Sequence, residues 1–344
     1  MATLFEPLDL GRLTLPNRVT MAALTRSRAG RDGIPTQLHE TYYSQRASLG
    51  LIVTEGVFPA VRCRTFPGQA GIETPEQIAG WRRVADAVHE AGGRIFMQVM
   101  NGGRLSHASL QDGAEPVAPS ALASGTAVRD FESRKECPVP RALDSSELPG
   151  IVEQFRHAAR NAIDAGLDGV EIHGANGYLL HQFLSPNSNH REDAYGGSPE
   201  NRYRLVEEIV RAVAGEIGAD RVALRLSPQN NIQGIEERDA DDVLATYGGL
   251  LDATADLGLA YVSFLHADPT GELISELSSR TRANGRTRVI LNSGFGNVTQ
   301  REEAETLVQH GDAVAVGRLV ISNPDLVRRW ASYRTGRVHV LYRR

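Results

Sequence analysis

The chain has 344 residues and a net charge of −5, a length that fits two ordinary domains or one large α/β barrel. There is no basic tract, which argues against nucleic acid and an anionic membrane as partners, and no run approaches the roughly 20 apolar residues of a spanning helix. Only Cys63 and Cys137 are present, which argues against a disulfide framework and excludes an iron–sulfur cluster needing about four thiolates; the N-terminus lacks an apolar signal core, so a reducing cytoplasm is the expected location.

Short β-rich runs alternate with helical patterns along the whole chain. The expected strands are Val19–Ala22, Leu51–Thr54, Ile95–Val99, Val170–His173, Val222–Leu226, Tyr261–Phe264, Val289–Asn292 and Ala313–Val316. Helix starts are visible between them. Thr74-Pro75-Glu76-Gln77 has the pattern of a capping box with proline at the first helical position. Within 146–165, Val152, Phe155, Ala159, Ala162 and Ile163 form an apolar stripe at helical spacing. Ser198-Pro199 opens a helix over 200–213, and Thr299 to Glu302 opens another that ends near Gly311. Gly92, Gly166, Gly258 and Gly311 stand where left-handed caps are expected.

Alternating β and α elements with right-handed crossovers allow a closed eight-fold barrel or an open doubly wound sheet. The barrel is the better fit. Its units use nearly the full length, and polar residues recur at the C-terminal ends of the strands, the edge where such barrels do chemistry. The expected architecture is therefore an α/β TIM (β/α)8 barrel, one domain over 1–344, with a long insertion at 106–143 after strand three acting as a lid or binding loop.

The densest cluster of polar residues follows strand four. Side chains alternate along a strand, so Glu171 and His173 share one face while Val170 and Ile172 share the other. The aliphatic pair suits packing against helices, which leaves Glu171 and His173 pointing into the barrel. Asn176 and Tyr178 come just after, on the loop. A core histidine, a turn asparagine and a buried aromatic account for the same residues without chemistry. The functional reading is a pair of groups gripping a carbonyl oxygen, with a phenol ready to deliver a proton.

Over most of its length the sequence resembles the Old Yellow Enzyme family of FMN-dependent ene-reductases. The resemblance rests on LFEPLDLGRLTLPNRVTMAALTRSRA, LIVTEG, PVAPSA, EIHGANGYLLHQFLSP, NHREDAYGGSPENRYRLVEEIV, RLSP and AVAVGRLVISNPDLV, in that order. The stretch 171–202 is the most specific. The resemblance implies FMN as cofactor and NAD(P)H as hydride donor, with no metal. His173 and Asn176 would hold the substrate's carbonyl or nitro oxygen, and Tyr178 would be the general acid. Thr25 would meet the flavin C4 carbonyl beside backbone contacts from Ala23 and Leu24. Gly56 would give the ring room, Gln98 would meet the pyrimidine edge, and Arg225 would place charge near N1, whether or not it also pairs with Glu171. Ser293, Gly294, Gly317 and Arg318 would nest the phosphate; Gly294 to Thr299 also reads as part of a weak dinucleotide fingerprint lacking its third glycine. Arg191, Asp193, Tyr195, Gly196, Gly197, Asn201 and Arg202 would be structural.

The sequence departs from the family pattern in three places. Ala23 stands where proline is usual, and Met100-Asn101 replaces a Trp-His pair, making Met100 part of a smaller, less aromatic substrate wall. The chain ends at VHVLYRR without a GYTDYP-like segment; the loop at 106–143, a partner subunit or Tyr342 are candidate replacements. The expected reaction is NAD(P)H-driven reduction of activated C=C bonds, with a specialised biosynthetic flavoprotein and a non-catalytic flavin-binding protein as alternatives. The expected partner is a small-molecule substrate; a monomer and a homodimer both fit the sequence.

Overall fold

The alternating runs close into a parallel barrel in the computed structural model, which describes residues 2–332. Its strands are β1 (Val19–Met21), β2 (Leu51–Val57), β3 (Ile95–Val99), β4 (Gly169–Gly174), β5 (Val222–Leu226), β6 (Tyr261–Leu265), β7 (Arg288–Asn292) and β8 (Ala313–Val316). Neighbours in the chain are neighbours in the barrel, and β8 closes against β1 with Val314 opposite Val19. The helices are α1 (Gln37–Ser44), α2 (Pro75–Glu90), α3 (Leu148–Asp164), α4 (Leu179–Leu184), α5 (Pro199–Ile217), α6 (Ala240–Thr254), α7 (Glu272–Arg282), α8 (Arg301–His310), α9 (Arg318–Ser322) and α10 (Leu326–Ser332). No helix of the described residues is long and apolar enough to cross a membrane.

Strand alternation splits the core in two. Val170, Ile172, Leu224, Val262, Val289 and Val314 face outward and pack with the helices in one large apolar layer. Val53, Phe96, Ala223, Tyr261, Ile290 and Ala315 face inward and form a second, smaller core. A hairpin of Leu8–Leu10 and Leu13–Leu15 packs against this inner core with Leu8, Leu10 and Leu15. Toward the C-terminal ends of the strands the inward residues become polar: Gln98, Glu171, His173, Arg225 and Ser263 are all buried. That reversal of polarity places the site.

Several local expectations hold. Thr74 Oγ1 accepts from the Gln77 amide while Gln77 Oε1 accepts from the Thr74 amide, so the capping box forms. Gly92, Gly166 and Gly258 have positive φ. Others need correction. Gly311 has φ −104°, an ordinary conformation, so it is not a left-handed cap. Helix α8 begins at Arg301 after Gln300, because the Thr299 hydroxyl turns inward to Ser293 Oγ at 3.2 Å instead of capping. In α3, Val152 and Ile163 are only half-buried, and the buried stripe runs through Leu148, Ile151, Phe155, Ala158, Ala159 and Ala162. Strand β2 extends to Val57, so Gly56 lies inside it, at a register shift between Val53 and Gly56.

The insertion has structure of its own. It contains a hairpin, Ala127–Arg129 with Arg134–Glu136, and a parallel pair, Val117–Ala118 with Arg141–Ala142. Buried Arg104 ties it down, donating from Nη1 to the Leu122 carbonyl and from Nη2 to the Gly234 carbonyl in the loop after β5. Arg191 bonds the carbonyls of Pro119 and Leu143 and pairs with Asp193, while Arg202 bonds Leu184 O, Asp242 and Thr246. These contacts are structural, as expected for the 191–202 stretch. Tyr342 lies outside the described residues.

Candidate active site

Glu171 and His173 point into the barrel, as the alternation requires. Glu171 accepts from Gln98 Nε2 at 2.7 Å and from the Tyr261 hydroxyl at 2.9 Å. Burial pushes this carboxyl up, against the opposing pull of Arg225 and the two hydrogen bonds. Arg225 is fully enclosed and donates to Ser263 Oγ at 3.2 Å. Its charge acts on Glu171 of the neighbouring strand without an ion-pair contact among the described residues. A buried guanidinium so sparsely bonded retains donors for an electron-rich group laid over it.

One register step higher, His173 sits opposite Arg225. Its Nδ1 is buried and has no hydrogen-bond partner. Burial first, and then the Arg225 charge, pull its pKa well below the usual histidine value, so the ring is neutral at pH 7. A buried polar atom left without a partner is costly, and natural sites tolerate it where a ligand completes it.

Asn176 has φ 58°, a left-handed conformation that asparagine tolerates. Its amide N–H donates to Ser227 Oγ at 2.9 Å, its carbonyl accepts from Gln233 Nε2 at 2.5 Å, and its Oδ1 accepts from Asn230 Nδ2 at 3.2 Å. With the oxygen engaged, the NH2 end of the side chain is the free donor. Tyr178 heads α4. Its ring lies 5.2 Å from that of His173 and packs with Met100, Leu105 and the edge of Phe66. Burial pushes its phenol up to about 12, against a hydrogen bond to Gln233. It is a protonated acid at neutral pH. His173, Asn176 and Tyr178 are therefore brought together, and Met100 packs against Tyr178.

The remaining candidates surround this cluster. Ala23, Leu24 and Thr25 follow β1 after Ala22, with Thr25 exposed and Ala23 and Leu24 half-buried. Ala23 shares a small cavity with Glu171, Arg225 and Ser263. Gly56 does leave room, but Met100 uses it: a Cβ there would stand 2.8 Å from Met100 Sδ. Across the mouth, Gly294 has φ 81° and Gly317 precedes α9. Arg318 reaches over to the Phe295 carbonyl, and Asn292 Nδ2 bonds Ala315 O at 2.7 Å, so the loops after β7 and β8 form one cradle. The Ser293 hydroxyl is spent on Thr299, leaving its backbone as the group available to an anion.

Three sets of residues escaped the sequence reading: Asn230 and Gln233 after β5, the Glu55–His39 pair beneath the β1 loop, and the His181–Glu237 pair beneath Asn176. Nothing local marks them, because each acts on a partner far away in the chain.

A family model for the NADH:flavin oxidoreductase / NADH oxidase family matches residues 3–336. The chain belongs to that family. It is 40% identical over 336 residues to a Leishmania infantum protein named "Probable flavin mononucleotide-dependent alkene reductase", covering 95% of this chain and 89% of that one. Among solved structures, morphinone reductase in complex with tetrahydroNAD is 41% identical with a TM-score of 0.88, covering 96% of this chain and 91% of the other. The Old Yellow Enzyme homologue from Zymomonas mobilis is 36% identical with a TM-score of 0.89, covering 99% and 95%. Membership makes the chain an FMN-dependent oxidoreductase of the ene-reductase type. The residues present fit the cofactor: an enclosed Arg225 with donors to spare, a buried His173 nitrogen without a partner, and glycines beside Arg318 that suit a phosphate.

Proposed function

We propose that this protein reduces the activated C=C bond of a small α,β-unsaturated carbonyl or nitro compound at the expense of NAD(P)H. Bound FMN would supply the redox chemistry, accepting a hydride from the nicotinamide and returning it to the alkene. The protein supplies the rest. His173 and the Asn176 amide donate to the substrate oxygen, which stabilises the negative charge that grows there as the β-carbon gains hydride. Tyr178 gives its proton to the α-carbon. Arg225 provides a fixed charge for the flavin's pyrimidine edge beside Gln98, Thr25 provides a hydroxyl at the end of β1, and backbone groups of Ala23 and Leu24 line the same rim. Ser293, Gly294, Gly317 and Arg318 take the phosphate. Met100, Phe66 and Leu105 form a dry wall that favours compact substrates. We place the protein in the cytoplasm.

The observation that carries this reading is the pairing of an unpartnered, neutral His173 with a protonated Tyr178 at 5.2 Å between ring centroids. The test is a visible spectrum of the purified protein, then anaerobic titration with NADH and NADPH, then addition of cyclohexenone. A yellow chromophore that bleaches and is restored by the enone supports the proposal. A flavin that bleaches but ignores a panel of enones and nitroalkenes refutes this substrate class.

A further inference from the structure

Behind the turn Asn176–Tyr178 runs a buried chain of polar groups that the reaction as described does not use. The Gly177 N–H donates to His181 Nδ1 at 3.0 Å. That bond requires a lone pair on Nδ1 and so puts the ring proton on Nε2, which lies 3.2 Å from Glu237 Oε1. Glu237 also accepts from the Tyr247 hydroxyl at 2.8 Å and, through Oε2, from the Gln229 amide at 2.7 Å. His181, Glu237 and Tyr247 are all buried. The chain thus joins the loop after β4, which carries Asn176 and Tyr178, to the loop after β5, which carries Asn230 and Gln233.

We propose that His181 and Glu237 are positioning residues for the substrate side of the site, an inference that rests on the ene-reductase reading. Gly177 has φ 81°, and a Cβ there would lie 2.8 Å from the Gln233 Cβ, so the two loops touch at the peptide His181 holds. Asn176 and Tyr178 flank that peptide. If its N–H loses its acceptor, the turn rotates and both side chains leave their places together. Ser227 reinforces the arrangement, because its Oγ accepts the Asn176 N–H and lies 3.5 Å from His181 Nδ1. A carboxylate that fixes the tautomer of an imidazole, which in turn fixes a working group, is the logic by which outer partners tune metal-binding and catalytic histidines. Here the imidazole fixes a backbone turn.

The pair predicts a specific kinetic pattern. Aligning Tyr178 and Asn176 bears on phenol binding and on proton delivery to the alkene, whereas nicotinamide oxidation needs no proton from Tyr178. The experiment uses FMN-loaded full-length protein carrying His181→Phe, His181→Asn or Glu237→Gln. Para-hydroxybenzaldehyde binding is followed by its long-wavelength absorbance, the two half-reactions by stopped flow, and folding by thermal melts. For His181→Phe the phenol Kd should rise about 10-fold and the oxidative rate at saturating enone should fall about 10-fold or more, with flavin reduction within about two-fold of wild type. His181→Asn keeps an acceptor near the position of Nδ1 and should recover most of both losses. Glu237→Gln, which preserves shape, should show the same split in smaller measure. Wild-type values for phenol binding and both rates in folded His181→Phe overturn the proposal. So does equal loss in both half-reactions with no recovery in His181→Asn, since that is the behaviour of a purely structural residue. Should the wild type neither hold FMN nor bind the phenol, the ene-reductase reading itself fails, a result these variants do not imitate.

Discussion

Glu55 holds His39 Nε2 at 3.0 Å inside the protein, with both side chains inaccessible to water. The other carboxylate oxygen accepts the backbone N–H of Arg26 at 3.0 Å and of Ser27 at 3.4 Å, immediately after Thr25. The imidazole is oriented in turn by the Thr36 N–H, 3.0 Å from Nδ1. The pair therefore sets the path of the loop that leaves β1 for the proposed flavin site. Glu55→Gln keeps the volume but replaces one acceptor oxygen with a donor, so that one buried N–H is left facing another. We expect a loss of about 1–3 kcal/mol in denaturant unfolding, together with weaker FMN binding in a fluorescence titration. Unchanged FMN affinity alongside reduced stability would separate the fold from the cofactor loop.

Removing the phenol of Tyr178 leaves the ring in its contacts with Met100, Leu105 and Phe66. Tyr178→Phe is thus nearly isosteric and tests the proton alone. Stopped-flow reduction by NAD(P)H should proceed at close to the wild-type rate. Reoxidation by cyclohexenone should slow by about 10²–10⁴-fold, the usual contribution of a positioned general acid. A substrate whose α-carbanion is stabilised by a nitro group needs the proton less urgently and should be affected least.

How much of this was legible in advance follows the range of each interaction. The period-two alternation at Glu171 and His173 is local, and it correctly turned both side chains inward. The capping box at Thr74 is local too. Thr299 looked like the start of a helix for equally local reasons, yet Ser293, six residues back, takes its hydroxyl, and the helix opens later. In α3 the apolar stripe was correct at Phe155, Ala159 and Ala162 but not at Val152 and Ile163, which are as apolar as their buried neighbours, so that only the packing partner chooses between them. The pairs His181–Glu237 and Gln98–Glu171 join residues 56 and 73 apart, and no window of sequence contains both members. The tight space at Gly56 is long-range too: Met100, 44 residues on, supplies the atom nearest a Cβ placed there.

The neutral state of His173 has a consequence for stability. Its pKa in the folded protein lies below the ordinary value near 6.5, so the unfolded chain binds a proton there that the folded chain refuses. Stability from this group is complete above about pH 6.5 and declines as pH falls toward the folded value, by about 1.4 kcal/mol for each unit in that window. His173→Asn lacks the titration. Unfolding curves collected from pH 7.5 to pH 5 should therefore show the wild type losing stability more steeply than the variant. Parallel curves would mean that His173 charges without penalty, in contradiction to its burial beside Arg225.

Arg318 offers a test of the phosphate cradle that is independent of catalysis. It is exposed at the start of α9, after Gly317, and among the described residues its side chain bonds the Phe295 carbonyl across the mouth. A guanidinium so placed meets a phosphate dianion with charge-assisted hydrogen bonds. Arg318→Ala should weaken FMN binding by roughly 10–100-fold in the apoprotein. Riboflavin, which lacks the phosphate, should bind the variant and the wild type alike within about two-fold. If both flavins lose affinity equally, Arg318 acts by bracing the loop at Phe295, and the anion is held by the backbone N–H groups of Gly294 and Gly317 alone. The ratio of the two affinity changes thus separates charge from scaffolding at a single residue.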